Sequence, residues 1–289
     1  MTVPIPIIPQ GSRRGGLESV SVPIPLPVTD WRNGVEITPA CGTLPYVWGC
    51  TSPQRLAPDD VKPISPIPAG VQFWPTLVGV ETQCVRRDMG SPIGDVQTEV
   101  AQVGLTRTEW SVAAGVLYDG NIGNLSVLIE QNGANPSFYS EATVVAGQNY
   151  VTPAPLLASV RKLIAEACDC YGDQFTLHVP AQYLPHFMFN ELVEWYEDMG
   201  HYMMGNIPVS FDCYENLGPL STPAPADRIP AADGSEVWIY ASATPLVSFG
   251  DTEFVEAFYP LRNERTIELV RPLIVAFDNC CVFAALATA

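Results

Sequence analysis

Proline sets the first limit on this chain. Residues 1–75 hold 14 of its 28 prolines, in runs such as VPIPIIP (3–9), VPIPLP (22–27) and KPISPIPAG (62–70). Each proline fixes φ and removes a backbone donor, so long helices and interior strands are excluded from this quarter. What remains is extended chain near polyproline II. The composition is not that of a disordered linker. Ile, Val and Leu alternate with the prolines, and Trp31, Trp48, Phe73 and Trp74 recur among them, whereas disordered segments are poor in such residues. An extended segment with apolar teeth suits a groove. The expected groove belongs to a neighbouring copy, with a long loop on the chain's own surface as the alternative.

Beyond the prolines the pattern changes. SPIGDVQTEVAQVGLTRTEWSVAAGVLYDG (91–120) predicts a helix about 35 Å long, with Asp95 as N-cap and Gly120 as stop. Its stripe is Val96, Val100, Val103, Trp110, Ala114 and Leu117, with Arg107 interrupting. Residues 121–150 read as strand and turn. TPAPLLASVRKLIAEACDCYGD (152–173) predicts a second helix, capped by Thr152, with Pro153 at the first helical position and Gly172 at the end. Its face is Leu156, Leu157, Val160, Leu163, Ile164, Ala167 and Cys168. The strand QFTLHVP follows, then a helical region (181–200) broken at Pro185. Residues 201–235 read as irregular. EVWIYASATPLVSFG (236–250) is a strand with a break at Pro245. Residues 263–271 alternate as a half-exposed strand ending at Pro272, and LIVAF and CVFAALA read as buried strand around an Asp278-Asn279 turn.

Charge narrows the function. The net charge is −17, and charged residues make up 16% of the chain, below the ~25% typical of soluble domains. Such a composition fits a surface that ends up covered in an assembly. Residues 145–289 hold 18 acidic against 6 basic side chains, and Lys62 and Lys162 are the lysines. A chain so acidic does not grip nucleic acid over a broad face. It has no run of 18 apolar residues to span a membrane, and its start lacks the basic region of a secretory signal. The eight cysteines are therefore expected to be reduced.

Little in the sequence carries chemistry. His178 sits inside a strand, as a structural histidine does, and His186 and His201 have no ligand-like neighbours. HExxH, GxSxG, Walker and GxGxxG patterns are missing. Cys168/Cys170 and Cys280/Cys281 lack zinc-ribbon spacing and read as small buried residues, the second pair pointing to opposite faces of a strand. ELVEWYED (191–198) reads as a solvated helix face, with cation binding as the alternative. No catalytic residue, metal ligand or cofactor site is assigned, and the chain is read as not an enzyme. A Cys–His enzyme is the remote alternative.

The order of these elements resembles a known family. The extended arm comes first, then KPISPIPAGVQFWPTLVGVETQCV (62–85) as an extended loop. The long helix DVQTEVAQVGLTRTEWSVAAGVLYDG (95–120) follows, then LLASVRKLIAEACDCYGDQFTLHVPAQYL (156–184), and last NERTIELVRPLIVAFDNCCVFAA (263–285). Together they are similar to the major capsid protein of tailed bacteriophages, of the Hong Kong 97 type. The resemblance implies an α+β fold with an N-terminal arm at 1–52 and an extended loop at 53–90. It implies a peripheral domain of 91–144, with its spine helix, plus terminal strands at 253–289, and an axial domain at 145–252. It also implies pentamers and hexamers in an icosahedral shell, DNA enclosed with weak contacts, a separate scaffolding protein and a portal. The implied location is the virion, assembled in the bacterial host cytoplasm, without membrane. Candidate assembly residues are Arg13, Arg14, Trp31, Trp48, Lys62, Phe73 and Trp74. Lys62 is also the loop's candidate for the covalent lysine–asparagine crosslink of some members. The competing readings are an encapsulin-like compartment and another virion component, such as a decoration or tail protein.

Overall fold

A computed structural model describes residues 16–24, 34–37, 70–85, 93–120, 135–145, 153–196, 200–203, 206–220, 228–231, 234–259 and 264–288. The chain begins with α1 (Leu17–Val20), β1 (Val35–Ile37), β2 (Val71–Phe73), β3 (Thr76–Val85) and the long α2 (Ile93–Asp119). Next come α3 (Phe138–Glu141), β4 (Thr143–Val144), β5 (Ala154–Pro155), α4 (Leu156–Tyr171), β6 (Phe175–Pro180) and α5 (Leu184–Phe189). Short strands follow: β7 (Val193–Tyr196), β8 (Gly200–Met203), β9 (Ile207–Asp212), β10 (Leu217–Leu220) and β11 (Arg228–Pro230). The last five are β12 (Glu236–Ala243), β13 (Leu246–Phe249), β14 (Glu253–Tyr259), β15 (Glu264–Ala276) and β16 (Phe283–Thr288).

Two sheets organise these elements. The larger has eight strands, ordered β4–β16–β12–β6–β9–β8–β7, with β5 also on β16. The smaller has four. There β3 runs along one side of β15, while β14 and β13 lie end to end along the other. The two cores meet at β12 and β16. Trp238, Tyr240, Ala284 and Leu286 face the core shared with α2 and the four-stranded sheet. Val237, Ile239, Ala241, Ala285 and Ala287 face the core under α4. Side chains alternate across a strand, so a strand buried on both faces reads as an unbroken apolar run. That is why FAALA has no polar alternation.

The long helix spans 27 residues, about 40 Å at 1.5 Å per residue. It begins at Ile93, so Asp95 lies inside it rather than capping it. Gly120 ends it as expected, with φ +68°. A Cβ there would lie 2.1 Å from the Asn135 carbonyl oxygen, so only glycine fits. The buried face keeps the expected Ala114 and Leu117, but nearer the N-terminus it runs through Ala101, Leu105 and Glu109 while Val100 is exposed. Glu109 is a charge in the buried stripe. Its Oε2 accepts from Arg271 Nη1 of β15 at 2.8 Å. Arg271 also donates to the Gly250 carbonyl and lies over the Phe249 ring.

Several other expectations need correction. The second helix starts at Leu156, not Pro153, because Ala154 and Pro155 pair with Ala287 and Thr288 of β16. Leu157 and Cys168 face outward from it. Pro185 starts α5 instead of breaking a helix, and residues 193–196 of the acidic run are edge strand β7, not a helix face. The stretch 201–235 contains four strands, one of them the parallel neighbour of β6. Pro272 does not end its strand. Its carbonyl accepts from Gly250 N, and in a strand a residue's N–H points to the same side as its C=O. The missing donor therefore faces the gap between β13 and β14, where no ladder bond is lost. Pro245 separates β12 from β13 and moves the chain from one sheet to the other. The terminal strands divide between the sheets: β15 pairs with β3 beside the long helix, whereas β16 crosses into the eight-stranded sheet.

The cysteines also depart from expectation. Cys170 and Cys281 form a disulfide, with Cα atoms 6.4 Å apart, and Cys280 is disulfide-bonded as well. Residues 280 and 281 lie in a turn, not a strand, while Cys168 and Cys213 are exposed and take no part in a disulfide. The Cys170 bridge ties the last turn of α4 to the turn before β16. Tyr171 reinforces it: its hydroxyl donates to the Asp278 carbonyl and accepts from Cys281 N. Because the bridge closes 111 residues, Cys170→Ser should lower unfolding free energy by about 2–5 kcal/mol. Chemical denaturation without reductant measures this, and an unchanged midpoint would show that the bridge contributes nothing.

Candidate functional site

The residues singled out for assembly fall into two groups. Arg13, Arg14, Trp31, Trp48 and Lys62 lie outside the described residues. Phe73 and Trp74 are described, and they build the root of the loop. Phe73 ends β2, which pairs antiparallel with β1 of the arm, and its ring packs 5.3 Å from that of Phe277. It is fully buried, so its surface is used within its own chain. Trp74 is half-buried. Its backbone N–H donates to Asn135 Oδ1 at 2.8 Å, and its carbonyl accepts from Asn135 Nδ2 at 2.9 Å. One buried asparagine thus fastens the loop root beside the end of α2.

The described part of the arm docks on its own chain, where a neighbour's groove was expected. Leu17, Val20 and Ile24 are buried. Leu17 N donates to Asp212 Oδ1 of β9 at 2.7 Å. Val22 bridges to Leu246, and Ile24 N donates to Ser248 Oγ at 2.9 Å. Residues 16–24 therefore touch both sheets. Asp212 is the polar anchor, and its second oxygen accepts from the Ser210 hydroxyl. Burial pushes the Asp212 carboxyl up to about 6, against the opposing effect of those two hydrogen bonds. No sequence rule marked Asp212, because it lies in the stretch 201–235 that reads as irregular, where an aspartate passes for a loop residue.

The groups with chemical potential are arranged structurally. His178 is fully buried, and its Nε2 lies 3.0 Å from Ser242 Oγ. Burial lowers its pKa to about 3, so the ring stays neutral. His201 is wedged between the rings of Trp195 and Phe211. A cavity of about 460 Å³ beside α2 is lined by Thr76, Tyr118, Tyr139, Cys213 and Tyr214, among others, with no histidine in its wall. Among the described residues no cluster of three or more His, Cys, Asp or Glu is placed to hold a metal ion. No described helix is long and apolar enough to cross a membrane.

Among the described residues, two outer strands carry pairs of large exposed apolar side chains. The outer strand β14 exposes Phe254 and Val255 between Glu253 and Glu256. The edge strand β7 exposes Trp195 and Tyr196, and α5 just before it exposes Met188 and Phe189. Unpaired strand edges with large apolar side chains are association surfaces.

No protein-family model and no curated protein sequence matches this chain, but solved structures match its shape. The capsid of the native GTA particle, computed with C5 symmetry, superposes with TM-score 0.52 at 11% identity, covering 98% of this chain and 96% of that one. A structure from Microbacterium phage Oxtober96 gives TM-score 0.52 at 11% identity, with 99% and 95% covered. The capsid of the empty GTA particle gives 0.50 at 10% identity, with 98% and 96% covered. The chain has the Hong Kong 97-type capsid fold. In this chain α2 packs beside the four-stranded sheet, and the eight-stranded sheet carries α4.

Asp212 gives the arm anchor a pH signature. Its carboxyl is near 3.8 when unfolded and about 6 when folded. The folded state holds the proton more tightly, so this contribution is full below the unfolded value and is lost as pH rises through the folded one. Its size is roughly 3 kcal/mol. Asp212→Asn keeps the shape but does not titrate. Relative to wild type, this variant should gain roughly 3 kcal/mol between pH 4 and pH 7, read by urea unfolding at both pH values. A difference that stays constant with pH would show that Asp212 is not held in this buried state.

Proposed function

We propose that this chain is a major capsid protein. Its copies self-assemble as pentamers and hexamers into an icosahedral shell around double-stranded DNA. The observation that carries this reading is the likeness to particle-forming capsid subunits over 98% of the chain. Two further features support it. The subunit leaves strand edges uncovered at β7 and β14, as a protein does whose neighbours complete it. Its net charge of −17 disfavours tight binding of phosphate, so enclosed DNA slides instead of sticking. The role is structural and uses no cofactor.

In this reading residues 1–52 are the arm, 53–90 the extended loop and 145–252 the axial domain. The peripheral domain takes 91–144 and 253–289, with β16 reaching from the last segment into the axial sheet. Arg13, Arg14, Trp31, Trp48, Lys62 and Trp74 contact neighbouring subunits. A separate scaffolding protein and a portal direct assembly in the bacterial host cytoplasm, and the finished protein resides in the virion.

Sedimentation of material from the natural source, followed by negative-stain imaging of the fast fraction, tests this directly. The 31.4 kDa chain should travel in icosahedral particles that protect double-stranded DNA from nuclease. Native material that stays monomeric or dimeric would overturn the proposal. Particles that hold protein cargo and no DNA would replace the virion with a compartment.

A further inference from the structure

The cavity beside α2 is walled by groups that fit an extended peptide. It measures about 460 Å³, inside the roughly 300–1,000 Å³ range of ligand clefts. Tyr118, Tyr139 and Tyr214 form an aromatic wall, and Leu77, Val112 and Val116 add aliphatic surface. Gly115 of α2 also lines it, and a Cβ there would meet nothing within 4 Å. Glycine inside a helix costs stability relative to alanine, but here it lets another backbone come close to the helix. Three hydroxyls in the wall are short of partners. Among the described residues Thr76 Oγ1 has no hydrogen-bond partner, and the hydroxyls of Tyr118 and Tyr214 have none beyond each other. At least one hydroxyl proton of that tyrosine pair therefore lacks an acceptor.

The N-terminal arm enters the described structure beside this wall. Leu17 N donates to Asp212 Oδ1, and a Cβ on Gly16 would lie 2.6 Å from the same oxygen. Cys213, the next residue after Asp212, belongs to the cavity wall and is exposed, and α1 packs against α2. We propose that residues 3–9 of the same chain, VPIPIIP, occupy this cavity as an extended segment of polyproline type. They lie outside the described residues. Pro9 precedes Gly16 by seven positions, a reach of up to about 23 Å, and Gly11 and Gly15 between them let the chain turn back. A polyproline segment makes no internal hydrogen bonds, and Pro4, Pro6 and Pro9 bring acceptors without donors. Such a segment suits a wall with spare hydroxyl donors. Side-chain rotation on binding, common at interfaces, aims them at its carbonyls. Ile5, Ile7 and Ile8 meet the aliphatic surface, and residues 1–10 bring no charged side chain to be buried. Aromatic-lined grooves recognise proline-rich chain in this way. The clamp is a property of the single subunit and goes beyond the shell reading.

Two measurements on full-length, unassembled subunits test it. The first is the rate at which iodoacetamide alkylates Cys213 without reductant, read by peptide mass spectrometry. Ile5→Asp with Ile7→Asp makes the segment unfit for an apolar cavity, whereas Ile5→Val with Ile7→Val keeps it fit. Circular dichroism with thermal melting confirms that each variant folds. Cys213 should react slowly in wild type and in the valine variant, and at least about tenfold faster in the aspartate variant. The second is oxidative crosslinking of Ile5→Cys or Ile8→Cys, each with Cys168→Ser, to Cys213. A link should form from one of the two positions at monomer mass, and Gly115→Leu, which fills the cavity, should abolish it. Equal Cys213 rates in wild type and the aspartate variant would overturn the proposal, as would failure of both positions to link. A link found only at dimer mass would give the cavity to a neighbouring copy's segment and overturn the assignment to the same chain. None of these results bears on the shell reading, which particle formation tests separately.

Discussion

The subunit depends on one continuous stretch, β15 followed by β16. β15 is flanked on both sides in the four-stranded sheet, and β16 lies inside the eight-stranded sheet. Twenty-five residues thus supply an interior strand to each sheet, and the turn between them is pinned by the Cys170–Cys281 bridge and by Tyr171. Interior strands have both backbone edges paired and both faces available for burial, which places them among the most stable parts of a fold. α2 packs on β15 and α4 packs on β16. The two helices that shape the subunit are therefore both referred to this segment.

Polar groups fix how the remaining pieces attach. Asp212 holds the arm, Asn135 holds the loop root, and the Glu109–Arg271 pair holds α2 against β15. Apolar packing tolerates sliding, whereas a buried hydrogen bond left unpaired costs about 1–3 kcal/mol. Each group thus selects one arrangement of segments that are far apart in sequence. Burial raises the Asp212 carboxyl to about 6, so the arm is an attachment that acidity can alter. The exposed edges at β7 and β14 are the complementary feature: interior strands are paired on both sides, whereas these outer strands present Trp195, Tyr196, Phe254 and Val255 to solvent.

Much of this was legible in the sequence. Gly120 and Gly172 mark the ends of α2 and α4 because the left-handed cap needs glycine. The order of long helix, amphipathic helix, buried strand and terminal strands carried the fold class. The misses have physical causes. Glu109 and Arg271 interrupt apolar patterns because they satisfy each other across the fold, and one-dimensional periodicity cannot show a partner 162 residues away. Strand β9 holds Ser210 and Asp212 in buried positions, so it lacked the apolar signature of an interior strand. Pro272 looked like a break because the gap between β13 and β14 that accommodates it is a tertiary feature. The cysteines were read from compartment and spacing, yet the sequence gap of 111 residues between Cys170 and Cys281 is closed only by the path of the chain through α4 and β16. Phe73 was legible as an apolar tooth, but not that its socket is Phe277 of the same chain.

Native-state hydrogen exchange, read by mass spectrometry on the full-length subunit, tests the central claim most directly. Peptides spanning 264–276 and 283–288 should be among the slowest to exchange and should open together with 236–243, since β12 pairs with β16 along its length. Protection at 283–288 that is lost early, while 236–243 stays closed, would contradict the account. It would mean that β16 is an attached strand and not a shared support of the two cores.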